Sequence, residues 1–251
     1  MTTDENKTEA EVESRESTKE KKDYSKEQRK YTPKEEAANI VTHAFGAIVC
    51  LVFSVLMIVR AAGGVADGRY GAGALVSVIA FSLALTSMYT MSSVYHASRY
   101  GSRARSVLRR FDYCSISILI AGSYMPYAVV GLIEGGTEQP ADAIWGTVIA
   151  SVVAALAVIV IVFNGISVQK FRVFTFISYV TMGWLIVVRI YHLYLAIGLG
   201  AFLLLLFGGV AYTVGIVFYK MRKLPYYHAI WHMFVLAGSV LMICGLYFFM
   251  L

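Results

Sequence analysis

Beyond residue 36 this chain almost runs out of acid: residues 37–251 hold only Asp67, Asp112, Glu134, Glu138 and Asp142. A soluble domain covers itself with charge, at roughly a quarter of its residues. Here 15% are charged and 58% hydrophobic, with a mean hydropathy of +0.64, which excludes a single soluble domain. Cysteine is scarce as well. Cys50, Cys114 and Cys244 lie far apart inside apolar runs without Cys-x-x-Cys spacing, so they suggest neither a disulfide framework nor a zinc knuckle. The start of the chain lacks the short basic stretch, apolar run and small-residue cleavage site of a secretory signal, so the first helix is expected to direct insertion.

What charge there is gathers at one end. Residues 1–36 carry 11 of the 16 acidic and 9 of the 22 basic side chains. Residues 1–34, rich in Glu, Lys, Ser and Thr, cannot bury enough apolar surface to offset their ordering entropy. They are expected to form a disordered charged cytosolic tail, and residues 35–251 a transmembrane domain.

A helix needs about 20 apolar residues to cross the hydrocarbon. Polar breaks delimit seven such runs, at about 39–62, 71–97, 112–133, 142–166, 172–191, 197–219 and 226–250. The breaks at 63–68 and 134–140 are rich in turn residues. The expected fold is therefore an all-α membrane protein, a bundle of seven transmembrane helices. With the tail in the cytosol, the inward loops carry Arg99, Arg103, Arg105, Arg109, Arg110, Lys170, Arg172, Lys220, Arg222 and Lys223. The outward connections carry only Arg60, Arg69 and Arg189. That asymmetry satisfies the positive-inside rule and places the carboxyl terminus outside the cytoplasm.

Ionisable groups inside a bilayer are costly and usually functional. The chain has five histidines: His43, His96, His192, His228 and His232. On the topology above, His96 closes the second helix at the cytosolic face, Asp112 opens the third, and His228 and His232 open the seventh. His43 lies just inside the start of the first, and only His192 lands on the far side. His228 and His232, four apart, point from one helical face and can share a metal. Ser92 stands in the same relation to His96. Three neutral imidazoles with one open position form the catalytic zinc arrangement, in which bound water reaches a pKa of about 7. Each element also has a plainer reading. The histidine pair can pack or reach to the interface, Ser92 can bond back to its own helix, and Asp112 can cap the third helix. His43 is expected to support the set rather than ligate, because a fourth imidazole would close the open position. Pro126 is either a kink that opens a cavity above Asp112 or a tolerated bend.

At these same residues the chain resembles the hemolysin III family, the bacterial branch of the progestin and adipoQ receptor superfamily. The matching stretches are EEAANIVTHAFG at 35–46, SSVYH at 92–96, FD at 111–112 leading to IAGSYMP at 120–126, GGVAYTVGIVFY at 208–219 and PYYHAIWHMFV at 225–235. The resemblance covers residues 34–251. It implies seven helices, a cytosolic amino terminus, a place in the cytoplasmic membrane, and zinc held by His96, His228 and His232 with Asp112 and Ser92 beside its water. One departure is Met242, which follows Gly238 and Ser239 where many members place a histidine.

Similar alkaline ceramidases suggest hydrolysis of a lipid amide. The leading expectation is a zinc-dependent hydrolase of a lipid amide or ester, with Asp112 moving the proton and Ser92 bonding water or the developing oxyanion. The alternatives are a non-enzymatic lipid sensor with structural zinc and a haemolytic, membrane-lysing protein. The partner is a membrane lipid; nothing points to nucleic acid. Reporter fusions test the topology: an amino-terminal reporter should be active only in the cytosol and one after Leu251 only outside. Two cytosolic ends would remove one span from the count.

Overall fold

The computed structural model describes Glu11, Ser14 and residues 28–134 and 140–251, and among them all regular structure is helical. Most of the expected tail, and the part of the 134–140 turn that includes Glu138, lie outside the described residues.

Helix α1 spans Pro33–Ala66. Its start is written locally: Thr32 and Glu35 form a reciprocal capping box, Pro33 opens the first turn, and Glu35 and Glu36 complement the helix dipole. Its buried stripe, Asn39, His43, Gly46, Cys50, Ser54, Met57 and Ala61, is small or polar except at Met57 and recurs every three or four residues. Its outer face is apolar, with Val41 64% and Val59 66% exposed. This inverts the pattern of a soluble helix. Small residues face the bundle because lipid already solvates the large apolar ones.

Helix α2 spans Ala72–Ala97, and α3 spans Arg103–Pro126, capped by the Ser102 hydroxyl on the Arg105 amide. After Pro126 the chain widens into a π-helix over Tyr127–Ile133. Proline supplies no backbone donor, so the ladder re-registers there. Helix α4 spans Pro140–Ser167, α5 spans Arg172–Trp184, and a 3₁₀ turn at Leu185–Arg189 leads into α6 at Ile190–Lys220. Helix α7, Tyr227–Gly245, ends in a π turn at Leu246–Met250. Helix α2 packs between α1 and α3, α4 lies beside α3, and α7 packs against α6 and α1. The shared core includes Phe81, Leu85, Met88, Tyr89, Val235 and Ile243.

Among the described residues, six helical stretches are long and apolar enough to cross a membrane. The expected runs at 172–191 and 197–219 fall together in one of them, Arg172–Lys220, of 49 residues. A straight helix of that length would extend about 74 Å. It is not straight. Gly198 is non-helical, with φ 74° and ψ 167°, and Trp184 Nε1 donates to Thr213 Oγ1 at 3.0 Å. Those residues are 29 apart, so the chain must double back between them.

Residues 28–34, assigned to the tail by composition, are seated on the bundle. Gln28 is buried, donating to the Ser102 carbonyl at 3.2 Å and accepting from the Gly101 amide at 2.8 Å. The boundary between tail and body therefore falls by Gln28, not at Lys34.

The closest approach of α1 to α2 is at Gly46, where a Cβ would sit 2.5 Å from the buried Tyr89 ring. Gly46→Val is expected to lower the melting temperature in detergent, by an overpacking cost of about 1–3 kcal/mol. Gly63, with nothing within 4 Å, should accept alanine without loss. Equal melting temperatures for the two variants would contradict this packing.

Candidate metal centre

Two helices bring the imidazoles together. His96 sits in the last turn of α2, and His228 and His232 in the first turns of α7. Helix α7 starts behind Tyr226, whose left-handed backbone (φ 55°) is held by its amide on Glu35 at 3.4 Å. One ring nitrogen from each of His96, His228 and His232 lies within 4.8 Å of the others, and all three residues are buried. His96 Nε2 and His228 Nε2 are 3.0 Å apart.

The partners of the other nitrogens decide what faces inward. Glu36 Oε2 lies 2.8 Å from His96 Nδ1, and a carboxylate can only accept there. His96 is thus protonated on Nδ1 and, as a neutral ring, bare on Nε2. His232 Nδ1 is 3.0 Å from Thr42 Oγ1. The one Thr42 proton goes back to the Ala38 carbonyl at 2.8 Å, so its oxygen accepts from His232 and leaves Nε2 bare. His232 Nε2 is buried without a partner among the described residues. Two bare nitrogens therefore meet a third ring in a dry pocket, where an unpaired acceptor is costly.

A tetrahedral zinc site, with bonds of about 2.0–2.1 Å, separates its ligand nitrogens by about 3.3–3.4 Å. Separations between 3.0 and 4.8 Å fit that ion with small ring movements. The group can hold a metal ion.

Helix α1 supplies the support, at Glu36 and Thr42. Arg105, completely buried in α3, donates to Glu36 Oε1 and to the Ser98 carbonyl at 2.5 Å. Sequence alone assigned Arg105 to the topology signal; the fold uses it to aim the carboxylate that aims His96. His43 stacks on His232 with ring centroids 3.5 Å apart and lies outside the three-histidine group. His192 is on α6 beside Leu193, which packs near Gly131 at the opposite end of the bundle.

Asp112 is buried in α3, with the Ser92 side chain beside its carboxylate. Helix α3 begins at Arg103, so Asp112 lies more than two turns inside it and cannot be its cap. That reading is overturned, because the polar start at 102–111 is helical too. Asp112 and His228 both border a cavity of about 450 Å³ whose walls include Met88, Leu119, Tyr124, Tyr127 and Val235. Pro126 and the π-helix after it thus flank this space, through Tyr124 and Tyr127. Tyr31 spans the mouth: its hydroxyl meets Tyr227 at 3.0 Å and its ring lies 5.3 Å from His228. Burial, reinforced by Tyr227, raises the Tyr31 phenol well above its usual value, so it stays neutral.

The family model described as haemolysin-III related matches residues 31–243. A hemolysin-3 homolog of Bacillus subtilis is 34% identical over 220 residues, covering 87% of this chain and 96% of that protein. Hemolysin-3 of Bacillus cereus is 33% identical over 219 residues, covering 87% and 93%. The human monocyte to macrophage differentiation factor is 27% identical over 210 residues, covering 82% and 80%.

Alanine at His96, His228 or His232 is expected to bring bound metal in the purified protein close to zero, measured by atomic emission, while His192→Ala keeps it. Thr42→Val should weaken metal affinity by about 10–100-fold through the lost His232 partner. Full metal retention in the His228 and His232 variants would refute the site.

Proposed function

Because the chain belongs to the haemolysin-III related family of multi-pass membrane proteins, we propose that it is a zinc-dependent intramembrane hydrolase of a lipid amide or ester. The observation that carries this reading is the shared wall: a candidate metal ligand, His228, and a buried carboxylate, Asp112, border one apolar cavity. In this reading the chain crosses the membrane seven times, with the run at Arg172–Lys220 counted as two crossings folded at Gly198. The basic loops then put the histidine end at the cytosolic face of the cytoplasmic membrane.

His96, His228 and His232 would hold the ion, and an all-imidazole donor set suits zinc. When bound, zinc polarises a carbonyl and lowers the pKa of water at its open position. Asp112 takes the proton from the attacking water and returns it to the departing amine or alcohol, so one carboxyl serves as base and then as acid. Ser92, beside the Asp112 carboxylate, would bond the water or the developing oxyanion. The apolar walls accept hydrocarbon and keep bulk water from the bond being cleaved. Tyr31 and Tyr227 cover the cytosolic side, which favours a substrate arriving from the bilayer. A purely structural metal would need no wall shared with an apolar cavity, so the sensor reading has less support.

Asp112→Asn removes the charge that accepts a proton but keeps the size. Its zinc content and melting temperature should stay near wild type, while turnover of fluorescent lipid amides and esters falls by about 10²–10⁴-fold. Unchanged turnover would dismiss Asp112 as the proton carrier. Loss of zinc would make it a support of the metal instead.

A further inference from the structure

The cavity has an unbalanced mouth. Arg29, Arg109, Arg172 and Arg222 all border it, with Gln28 and Gln169, and Asp112 is the one carboxylate among its lining residues. Elsewhere this chain matches its buried arginines with acids, Arg105 with Glu36 and Arg189 with Asp142. Among the described residues, none of the four mouth arginines has a carboxylate within ion-pair distance. Arg29 is used structurally, donating to the Arg222 carbonyl at 3.2 Å and lying 4.4 Å over the Tyr227 ring. Arg109 is half-buried over Tyr113, 5.5 Å from its centroid, one turn before Asp112. The inward-loop cations Arg103, Lys220 and Lys223 do not border the cavity. A topology signal needs only charge in the loop; it does not need three arginines bordering one cavity.

Deeper in, the lining changes character to Leu119, Ile120, Ile216, Val235 and Met242. A volume of about 450 Å³ is within the usual range for small-molecule sites. We propose that this cavity binds an amphiphile with an anionic head, its phosphate or carboxylate gripped by Arg109, Arg172 and Arg222 and its hydrocarbon lying along the apolar wall. Guanidinium groups suit that head because their planar fork matches two oxygens at once. The inference rests on the reading of this cavity as the lipid site and is independent of whether the lipid is cleaved there. It narrows the substrate class from any lipid amide or ester to one carrying negative charge.

The test compares two single-chain lipids with the same acyl group, a lysophosphatidate and a neutral monoacylglycerol, by native mass spectrometry of the metal-loaded full chain. The lysophosphatidate should bind at least tenfold more tightly. Arg109→Gln and Arg172→Gln should each weaken it about fivefold or more, the loss of one charge-assisted contact, and leave monoacylglycerol binding unchanged. Arg103→Gln removes the same charge away from the cavity and should change neither. Arg172 is exposed, so its variant remains informative if Arg109→Gln does not fold. Equal binding of the two lipids, or equal losses in the Arg103 and Arg172 variants, would overturn the proposal. Millimolar inorganic phosphate should not displace the lipid; displacement at the lysophosphatidate's own concentration would make this a soluble-anion site and overturn it too. Turnover is read in the same samples. Absent turnover with the head preference intact removes the hydrolase reading alone.

Discussion

Two hydrogen bonds made away from the cluster govern its chemistry. Glu36 on His96 Nδ1 and Thr42 on His232 Nδ1 turn both Nε2 lone pairs towards His228. A neutral imidazole has one donor and one acceptor, so holding the proton at one nitrogen decides the other. Both partners belong to α1, the helix that contributes no member to the three-histidine group. The capping box at Thr32 and Glu35, which ends one residue before Glu36, starts that helix and so sets where along it Glu36 and Thr42 fall.

The same constraint explains the burial of Arg105. A carboxylate taken out of water needs a partner, and a lone imidazole N–H is weak compensation for it. Arg105 supplies a full charge to Glu36 through Nη2 and donates through Nη1 to the carbonyls of His96 and Ser98 at the end of α2. One side chain thereby joins α1, α2 and α3 at the depth of the metal site. The seat for Gln28 between the Gly101 amide and the Ser102 carbonyl adds the preceding segment to that junction.

The cavity is the counterpart of this tight corner. On one side of His96, helices α1, α2 and α3 close around small and polar residues. On the other, α3, α5, α6 and α7 leave space lined by large apolar and aromatic side chains. The change from α-helix to π-helix at Tyr127–Ile133 and the reversal at Gly198 both occur in the elements that border this space. Tight packing thus orients the ligand set, and looser packing gives something access to it.

Much was legible without coordinates. Apolar run length located the membrane segments, since the bilayer imposes a length that hydropathy reports directly. The convergence of His96, His228 and His232 followed from the spacing of two residues on one helix and from the alternation of loop charge. Their separation from His192 followed in the same way. Other features depended on contacts between distant residues, to which periodicity is blind. Arg105 reads as one more loop cation until α1 places Glu36 opposite it, and the Thr42 hydroxyl reads as a helix-internal bond until α7 arrives with His232. Asp112 looked like a helix start because the polar turns before it resemble a loop, although Ser102 had already capped them into α3. Sequence by itself determined the class of fold and the residue types that can meet a metal, because those depend on local pattern and on the solvent. Tertiary structure alone decided which nitrogen His96 and His232 present and which arginines border the cavity, because both depend on what other helices bring alongside.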